Sequence, residues 1–103
     1  MNPYSVYGTN GETIHSNELL HPGYIILNEL EARNIESKSA FALEYKIYPS
    51  HFSDILKGKR GINAEIALKL QDALGIDAEF WMRVQAYYDL MLARKKRDEQ
   101  KAA

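Results

Sequence analysis

The sequence predicts an all-α fold, a five-helix bundle preceded by an N-terminal extended arm. The chain has 103 residues, which is the size of one domain. From about residue 21 onward apolar residues recur at helical spacing, and no segment alternates apolar with polar residues over the length of a strand. We therefore expect the arm over residues 1–20, the helical domain over 21–94, and a disordered basic tail over 95–103.

The first two helices are defined by residues suited to helix ends. His21-Pro22-Gly23 begins the first helix, because proline suits a first turn whose N–H groups are unpaired anyway. Asn34 is a residue type that ends helices. The second helix is predicted from Ser37 or Ser39 to Tyr45, since a serine oxygen accepts a hydrogen bond from a first-turn N–H.

Three more helices follow a break at Ile47-Tyr48. The third is predicted from Pro49 or Ser50 to Lys57, with one apolar stripe and with Gly58 as a left-handed cap. Residues suited to helix ends also bound the last two helices: Asn63 and Gly75 for the fourth, Asp77 and about Arg94 for the fifth.

The arm, residues 1–20, is rich in Asn, Gly, Ser and Thr and shows little apolar periodicity. It is either a loose arm or a segment that docks on a partner or on a second subunit.

The charge of the chain is balanced overall but segregated along the sequence. Thirteen Lys and Arg against fourteen Asp and Glu give a net charge of -1. Residues 1–32 carry -4, residues 33–69 carry +3, residues 70–93 carry -3 and residues 94–103 carry +3. The whole chain is not the uniformly basic protein of the simplest nucleic-acid binder, yet one central segment is basic.

Several function classes are excluded or disfavoured by composition. The chain has no cysteine, so disulfides, thiolate metal sites and cysteine nucleophiles are excluded. Its three histidines lack metal-ligand spacing, and neither a glycine-rich phosphate loop nor a local Ser/His/Asp set is present. No apolar run approaches the roughly 18 residues of a membrane span, and the first residues do not resemble a signal peptide. We expect a cytoplasmic protein that is not an enzyme, with no cofactor, no metal and no membrane contact.

Residues 37–60 have the pattern of a helix-turn-helix unit, two short helices joined by a tight turn. In such a unit the second helix enters the DNA major groove while the first crosses the backbone. The third helix fits this role, with polar side chains at its N-terminal end and a cluster of cations at its far end. The candidate DNA-binding residues from this pattern are Tyr48, Pro49, Ser50, His51, Asp54, Lys57, Lys59 and Arg60.

Each of these residues also has a plainer interpretation. His51 contacts a base or phosphate, or is a surface histidine without a role. Asp54 accepts from a cytosine amino group, or is a solvated acid or an ion-pair partner of Lys57. Tyr48 stacks on a sugar or a thymine methyl, or covers the turn. Ser50 contacts DNA, caps the helix, or does both. The cations are phosphate ligands or solvated loop charges.

The fifth helix carries more large apolar side chains than one face of a terminal helix needs. Some of them should pack on the first and fourth helices, and the remainder would form an exposed interface. A two-fold dimer is the commonest use of such a surface, and the alternative is that all of them belong to the core. The candidate dimerisation residues are Phe80, Trp81, Val84, Tyr87, Tyr88 and Met91.

The order and spacing of several short motifs resemble the HigA-type and VapI-type antitoxins of the Xre-like helix-turn-helix superfamily. The match covers about residues 21–94. It is carried by His21-Pro22-Gly23, Phe41-Ala42, Ile47-Tyr48-Pro49-Ser50, residues 55–62, residues 64–70, Ala73-Leu74-Gly75, Glu79-Phe80-Trp81, Gln85 and Tyr88-Asp89-Leu90.

The resemblance implies a lambda-repressor-like helix-turn-helix and an antitoxin of a type II toxin–antitoxin module. Such a protein neutralises an mRNA-cleaving toxin of the HigB and RelE kind, and it binds operator DNA as a homodimer to repress its own operon. The resemblance also places Lys38 where the family commonly has a glutamine that contacts the DNA backbone.

The chain departs from the family pattern at the turn, where Lys46 stands in place of the usual glycine. Two other functions remain open at this point. One is a stand-alone Xre-like repressor without a toxin partner. The other is a protein-interaction module that has lost DNA binding, consistent with the net negative charge and with Lys46.

Overall fold

The computed structural model describes residues 20–102, and over this range it contains five α-helices and no strand. The helices are α1 (Pro22–Ala32), α2 (Lys38–Glu44), α3 (Pro49–Leu56), α4 (Ala64–Leu74) and α5 (Ala78–Ala102). The all-α, five-helix prediction is thereby confirmed. The predicted arm, apart from Leu20, lies outside the described residues.

Local side-chain chemistry sets most helix ends as predicted. The Ser37 hydroxyl accepts a hydrogen bond from the Ala40 N–H (3.1 Å), and the Asn63 side chain accepts from the Ile66 N–H (2.9 Å). Gly58 and Gly75 adopt the left-handed conformation with φ of 77° and 73°, which glycine does without steric cost. His21 is the N-cap of α1, and its Nδ1 accepts from the Gly23 N–H at 2.9 Å.

The core lies between all five helices, with Phe41 and Ala42 contributed by α2. Its fully buried large side chains include Ile26, Leu30, Phe52, Ile55, Leu70 and Trp81. Gly23 allows α1 to lie against α3, since a Cβ at this position would overlap the carbonyl oxygen of Ile55. Because that oxygen is backbone and cannot turn aside, only glycine permits this approach.

Helix α5 continues to Ala102, so the prediction that it ends near Arg94 with a disordered tail over 95–103 is wrong for residues 95–102. The added turns consist of Lys, Arg, Asp, Glu, Gln and Ala, most of which are strong helix formers. Extending an existing helix needs no new nucleation, so these exposed residues can remain helical without packing.

Two other helix ends differ from the expected chemistry. The N-cap of α3 is Tyr48, without a side-chain cap hydrogen bond, and Ser50 lies inside the helix. At the start of α5 the Gln71 side chain of α4 accepts a hydrogen bond from the Ala78 N–H at 2.8 Å. A contact between two helices therefore satisfies the first N–H group of α5.

Candidate nucleic-acid interface

A tight turn holds α3 against α2. The Ile47 N–H donates to the Ala42 carbonyl at 2.8 Å, and the Lys46 N–H donates to the Leu43 carbonyl at 3.1 Å. Ile47 is buried, so its side chain fixes the turn to the core. Lys46 adopts a left-handed conformation with φ of 63°. Its carbonyl oxygen accepts a hydrogen bond from Lys69 Nζ at 2.8 Å, which ties the turn to α4.

The N-terminal end of α3 presents polar side chains while the helix buries its apolar face. Phe52 and Ile55 lie in the core. Tyr48 is 80% exposed, Ser50 is exposed, and Pro49, His51 and Asp54 are half-buried. The first turn of α3 can therefore contact base edges, as the second helix of a helix-turn-helix does.

His51 lies among charged groups from two other elements. Burial lowers the pKa of His51 below its usual value, the Arg60 and Lys69 cations lower it further, and Asp54 opposes them. A neutral imidazole offers one donor and one acceptor, so His51 can contact either a base edge or a phosphate oxygen.

The three cations predicted beyond α3 lie on one segment, residues 57–62, which we call the basic loop and which is exposed except at Ile62. Lys57, Lys59 and Arg60 are all exposed. The Gly58 and Lys59 N–H groups donate to the Ile55 and Asp54 carbonyls at 3.0 and 2.8 Å. The first half of the loop is therefore joined to the end of α3, which places its cations just beyond that helix.

A cleft of about 360 Å³ opens between α1, α2 and α3 and brings three predicted residues together. Lys38 and Ser39 line it from α2, Pro49 and Ser53 line it from α3, and Lys57 lines it from the end of α3. Leu27, Phe52 and Leu56 also line the cleft, so its polar side chains lie beside an apolar surface. Lysine and serine side chains commonly contact phosphate oxygens in DNA. Sequence reasoning missed Ser53, although it lies four residues from both Pro49 and Lys57 on one side of α3.

Asp54 and Lys57 do not form the ion pair offered as a plainer interpretation. Within residues 20–102 the ion pairs are Arg33–Glu29, Lys69–Glu65 and Arg97–Asp98. Both side chains therefore remain available to other contacts.

The candidate dimerisation residues divide into two groups. Trp81 and Val84 are 0% and 3% exposed, so their placement on an interface is wrong. The Trp81 Nε1 donates to the Ile76 carbonyl at 3.2 Å, which fixes the indole inside the domain. Tyr87 is 60% exposed, and Phe80, Tyr88 and Met91 are half-buried.

Leu90 is a further exposed apolar residue of α5, which was not among the residues expected at a dimer interface. Phe80, Tyr87 and Met91 recur at i, i+7 and i+11, so they lie on one side of the helix. Phe80 packs partly against the core, and Tyr87 and Leu90 extend the same apolar surface into solvent.

No helix between residues 20 and 102 has the length and apolarity required to cross a membrane. Over the same range, no group of three or more histidine or acidic side chains is placed to hold a metal ion.

The chain is similar to a virulence-associated protein and to antitoxins, although no protein-family model matches it. Virulence-associated protein I of Dichelobacter nodosus is 36% identical over 76 residues, which are 74% of this chain and 70% of that protein. An addiction module antidote protein of the HigA family from Coxiella burnetii is 34% identical, with a TM-score of 0.74 over 80% of this chain and 89% of its own. The Pseudomonas aeruginosa antitoxin HigA, solved with the higBA promoter, is 33% identical, with a TM-score of 0.75 over 81% of this chain and 90% of its own.

Proposed function

The chain belongs to the HigA and VapI family of antitoxins, within the Xre-like helix-turn-helix superfamily, and we propose that it is the antitoxin of a type II toxin–antitoxin module. As a homodimer it binds operator DNA and represses its own operon. It also neutralises a partner toxin of the HigB and RelE kind, which cleaves mRNA. It acts by binding and not by catalysis.

The observation that carries the DNA-binding part is the single surface formed by the end of α3 and the basic loop. Tyr48, Ser50 and His51 lie at the polar end of α3, where base contacts would specify sequence. The basic loop lies at the other end, where phosphate contacts would fix the register. A relative at 33% identity was solved with promoter DNA, which supports the same use of this surface here.

The dimer is supported by the apolar side of α5. Tyr87 and Leu90 are exposed, and Met91 is half-buried beside them, with Phe80 two turns away. A contiguous apolar surface of this kind commonly marks an interface. A two-fold axis beside α5 would place the two copies of α3 in the dimer about 34 Å apart, which is one turn of DNA. We assign the DNA-binding and dimerisation functions to one domain, residues 21–94.

The toxin partner is supported by family membership and by charge. Residues 1–32 carry -4 and residues 70–93 carry -3, and both segments lie outside the helix-turn-helix. A protein that binds mRNA is expected to be basic, and opposite charge speeds the encounter of two such proteins.

The DNA-binding proposal is tested with the protein's own promoter fragment at several salt concentrations. The double variant Lys59→Ala, Arg60→Ala should bind more weakly to every sequence. Its salt slope, the steepness with which the logarithm of the binding constant falls with the logarithm of the salt concentration, should decrease by about one for each phosphate that is no longer neutralised. The matched control Lys95→Ala, Lys96→Ala removes the same charge from the exposed end of α5 and should leave the slope unchanged.

Sequence preference is tested separately. The variant Ser50→Ala, His51→Ala should discriminate less between the promoter and a mutated promoter, because it loses base contacts and keeps the basic loop. If wild-type protein shows no binding to its promoter even at low salt, the chain is an interaction module that has lost DNA binding.

The antitoxin proposal is tested by co-expression with the neighbouring gene product. Expression of that product alone should arrest growth, and co-expression should relieve the arrest and yield a complex that co-purifies. Promoter binding without any such neighbour would instead identify a stand-alone repressor.

A further inference from the structure

The backbone of the basic loop is held by residues that lie outside the helix-turn-helix. α3 anchors only its first half, through Gly58 and Lys59. The second half, from Arg60 to Ile62, contacts the start of α1 and the middle of α5. These two regions are 39 and 23 residues away along the chain.

Gln85 of α5 forms the first of these anchors. It is 8% exposed, its Oε1 accepts a hydrogen bond from the Ile62 N–H at 2.8 Å, and its Nε2 donates to Asp89 Oδ1 at 2.8 Å. A Cβ on Gly61 would lie 2.9 Å from the Gln85 amide atoms, so glycine at this position lets the loop approach the amide. Asp89 fixes which way the amide faces, with its oxygen toward the loop.

His21, the N-cap of α1, forms the second anchor. Its Nδ1 accepts from the Gly23 N–H, which leaves the proton of the neutral ring on Nε2. The ring lies against the basic loop: its Cγ is 3.9 Å from where a Cβ at position 58 would be, and the neighbouring Arg60 backbone opposes the lowering of the His21 pKa by burial. The ring of Tyr88 meets it edge to face, with centroids 4.8 Å apart. His21 therefore joins α1, α5 and the basic loop.

We propose that His21 and Gln85 are positioning residues for DNA binding, which hold the basic loop so that Lys59 and Arg60 meet DNA phosphates in a fixed geometry. The inference rests on the proposed function. Its physical basis is preorganisation, because a loop ordered before binding loses less conformational entropy when it meets DNA. The structure of α5 and of the α1 N-terminus thereby affects DNA affinity without either helix touching DNA.

Two variants remove the anchors and leave the helices intact. His21→Asn keeps an oxygen that can cap α1, since asparagine is among the best N-cap residues, but its side chain is too short to reach Arg60. Gln85→Met keeps the side-chain length and loses both hydrogen bonds. The exchange Gln85→Glu with Asp89→Asn is the rescue, because a carboxylate can accept from both the Ile62 N–H and the new amide.

Each protein is assayed for promoter affinity against salt, for thermal unfolding, and for trypsin cleavage after Lys59 and Arg60 in the absence of DNA. His21→Asn and Gln85→Met should each bind about tenfold more weakly, the effect of losing about one neutral hydrogen bond. Their salt slopes should be shallower, and trypsin should cleave the loop several-fold faster. The exchange variant should regain wild-type affinity and slope.

The decisive measurement repeats His21→Asn in the Lys59→Ala, Arg60→Ala background. If His21 acts through the loop, this added change should cause no further loss of affinity. The positioning role is overturned if His21→Asn weakens promoter binding as much in that background as it does in the wild type. It is also overturned if the single variants fold normally and bind the promoter with wild-type affinity and wild-type salt dependence. Absence of wild-type promoter binding would overturn the proposed function and this inference with it, and that outcome is distinct from binding that the variants do not alter.

Discussion

Replacing Lys46 with glycine should stabilise the domain, although it removes a side chain from a tight turn. Lys46 adopts φ of 63°, a left-handed conformation that costs a residue with a Cβ about 1–2 kcal/mol. Glycine avoids that cost but has greater freedom in the unfolded chain, which costs about 0.4–1 kcal/mol. Both hydrogen bonds at this position use the backbone, with Leu43 and with Lys69, and remain available. The net gain is about 1 kcal/mol.

A gain of this size is measurable by thermal unfolding. For a domain of about 60–100 residues, 1 kcal/mol raises Tm by about 4–8 °C. Unfolding should be followed by circular dichroism at one fixed protein concentration, because dimerisation makes Tm depend on concentration. The matched control is Lys46→Ala, which removes the same charge and keeps the Cβ, and which should show no comparable gain.

Gly75→Ala provides the opposite perturbation. Gly75 has φ of 73°, and a Cβ there would have no atom within 4 Å, so the backbone conformation alone sets its effect. This variant should lose about 1 kcal/mol, because the cost of the left-handed conformation again exceeds the effect on the unfolded chain. A cost of the left-handed conformation at Lys46 is contradicted if Lys46→Gly melts at or below the wild-type temperature. It is also refuted if Lys46→Gly and Lys46→Ala rise equally, because loss of charge and not backbone relief would then explain the gain.

Three further outcomes are expected. Trp81→Ala should lower the free energy of unfolding by about 3–5 kcal/mol, since the indole is fully buried; denaturant unfolding measures this, and a loss below about 1 kcal/mol would contradict its place in the core. Tyr87→Asp should convert the proposed dimer to a monomer in light-scattering measurements, whereas Leu43→Asp, a similarly exposed site on α2, should not. Stability should fall as pH drops below 6.5. Burial lowers the pKa of His21 despite the neighbouring Arg60 backbone and the charge of Asp89, and burial and nearby cations lower that of His51. Below that pH the unfolded chain binds more protons than the folded protein. The contribution of the two histidines to the free energy of unfolding is therefore complete above their usual pKa of 6.5. It is lost as the pH falls from there through the pKa values of the folded protein. Equal stability at pH 7.5 and 5.5 would contradict this.

Features set by local chemistry were predictable from the sequence. Ser37 and Asn63 cap helices because a short polar side chain reaches an N–H two or three residues away. Gly58 ends α3 because glycine adopts positive φ freely. The helix-turn-helix depends mainly on such signals, and its position along the chain was therefore available from the residues alone.

Features that depend on contacts distant in sequence were not predictable. The apolar residues of α5 form one pattern in the sequence, and only the packed domain separates buried Trp81 from exposed Tyr87. Likewise, the sequence marks His21 as a helix start but gives no sign that its ring reaches Arg60. The contact joins residues 39 positions apart, and periodicity describes only neighbours on one element.

Because the net charge is small, the affinity for DNA should depend strongly on how the basic loop is anchored. With -1 overall, the chain has little general attraction to DNA, so non-specific binding contributes less than it would in a uniformly basic protein. Affinity must then come from a few cations that meet phosphates in a defined geometry. Lys59 and Arg60 can do this only if their backbone is fixed, and His21 and Gln85 supply that constraint from α1 and α5. Since α5 also carries the proposed dimer surface, a change in its packing would move Gln85 and with it the basic loop. A toxin or second subunit that shifts α5 can therefore alter operator affinity without contacting the DNA-binding surface.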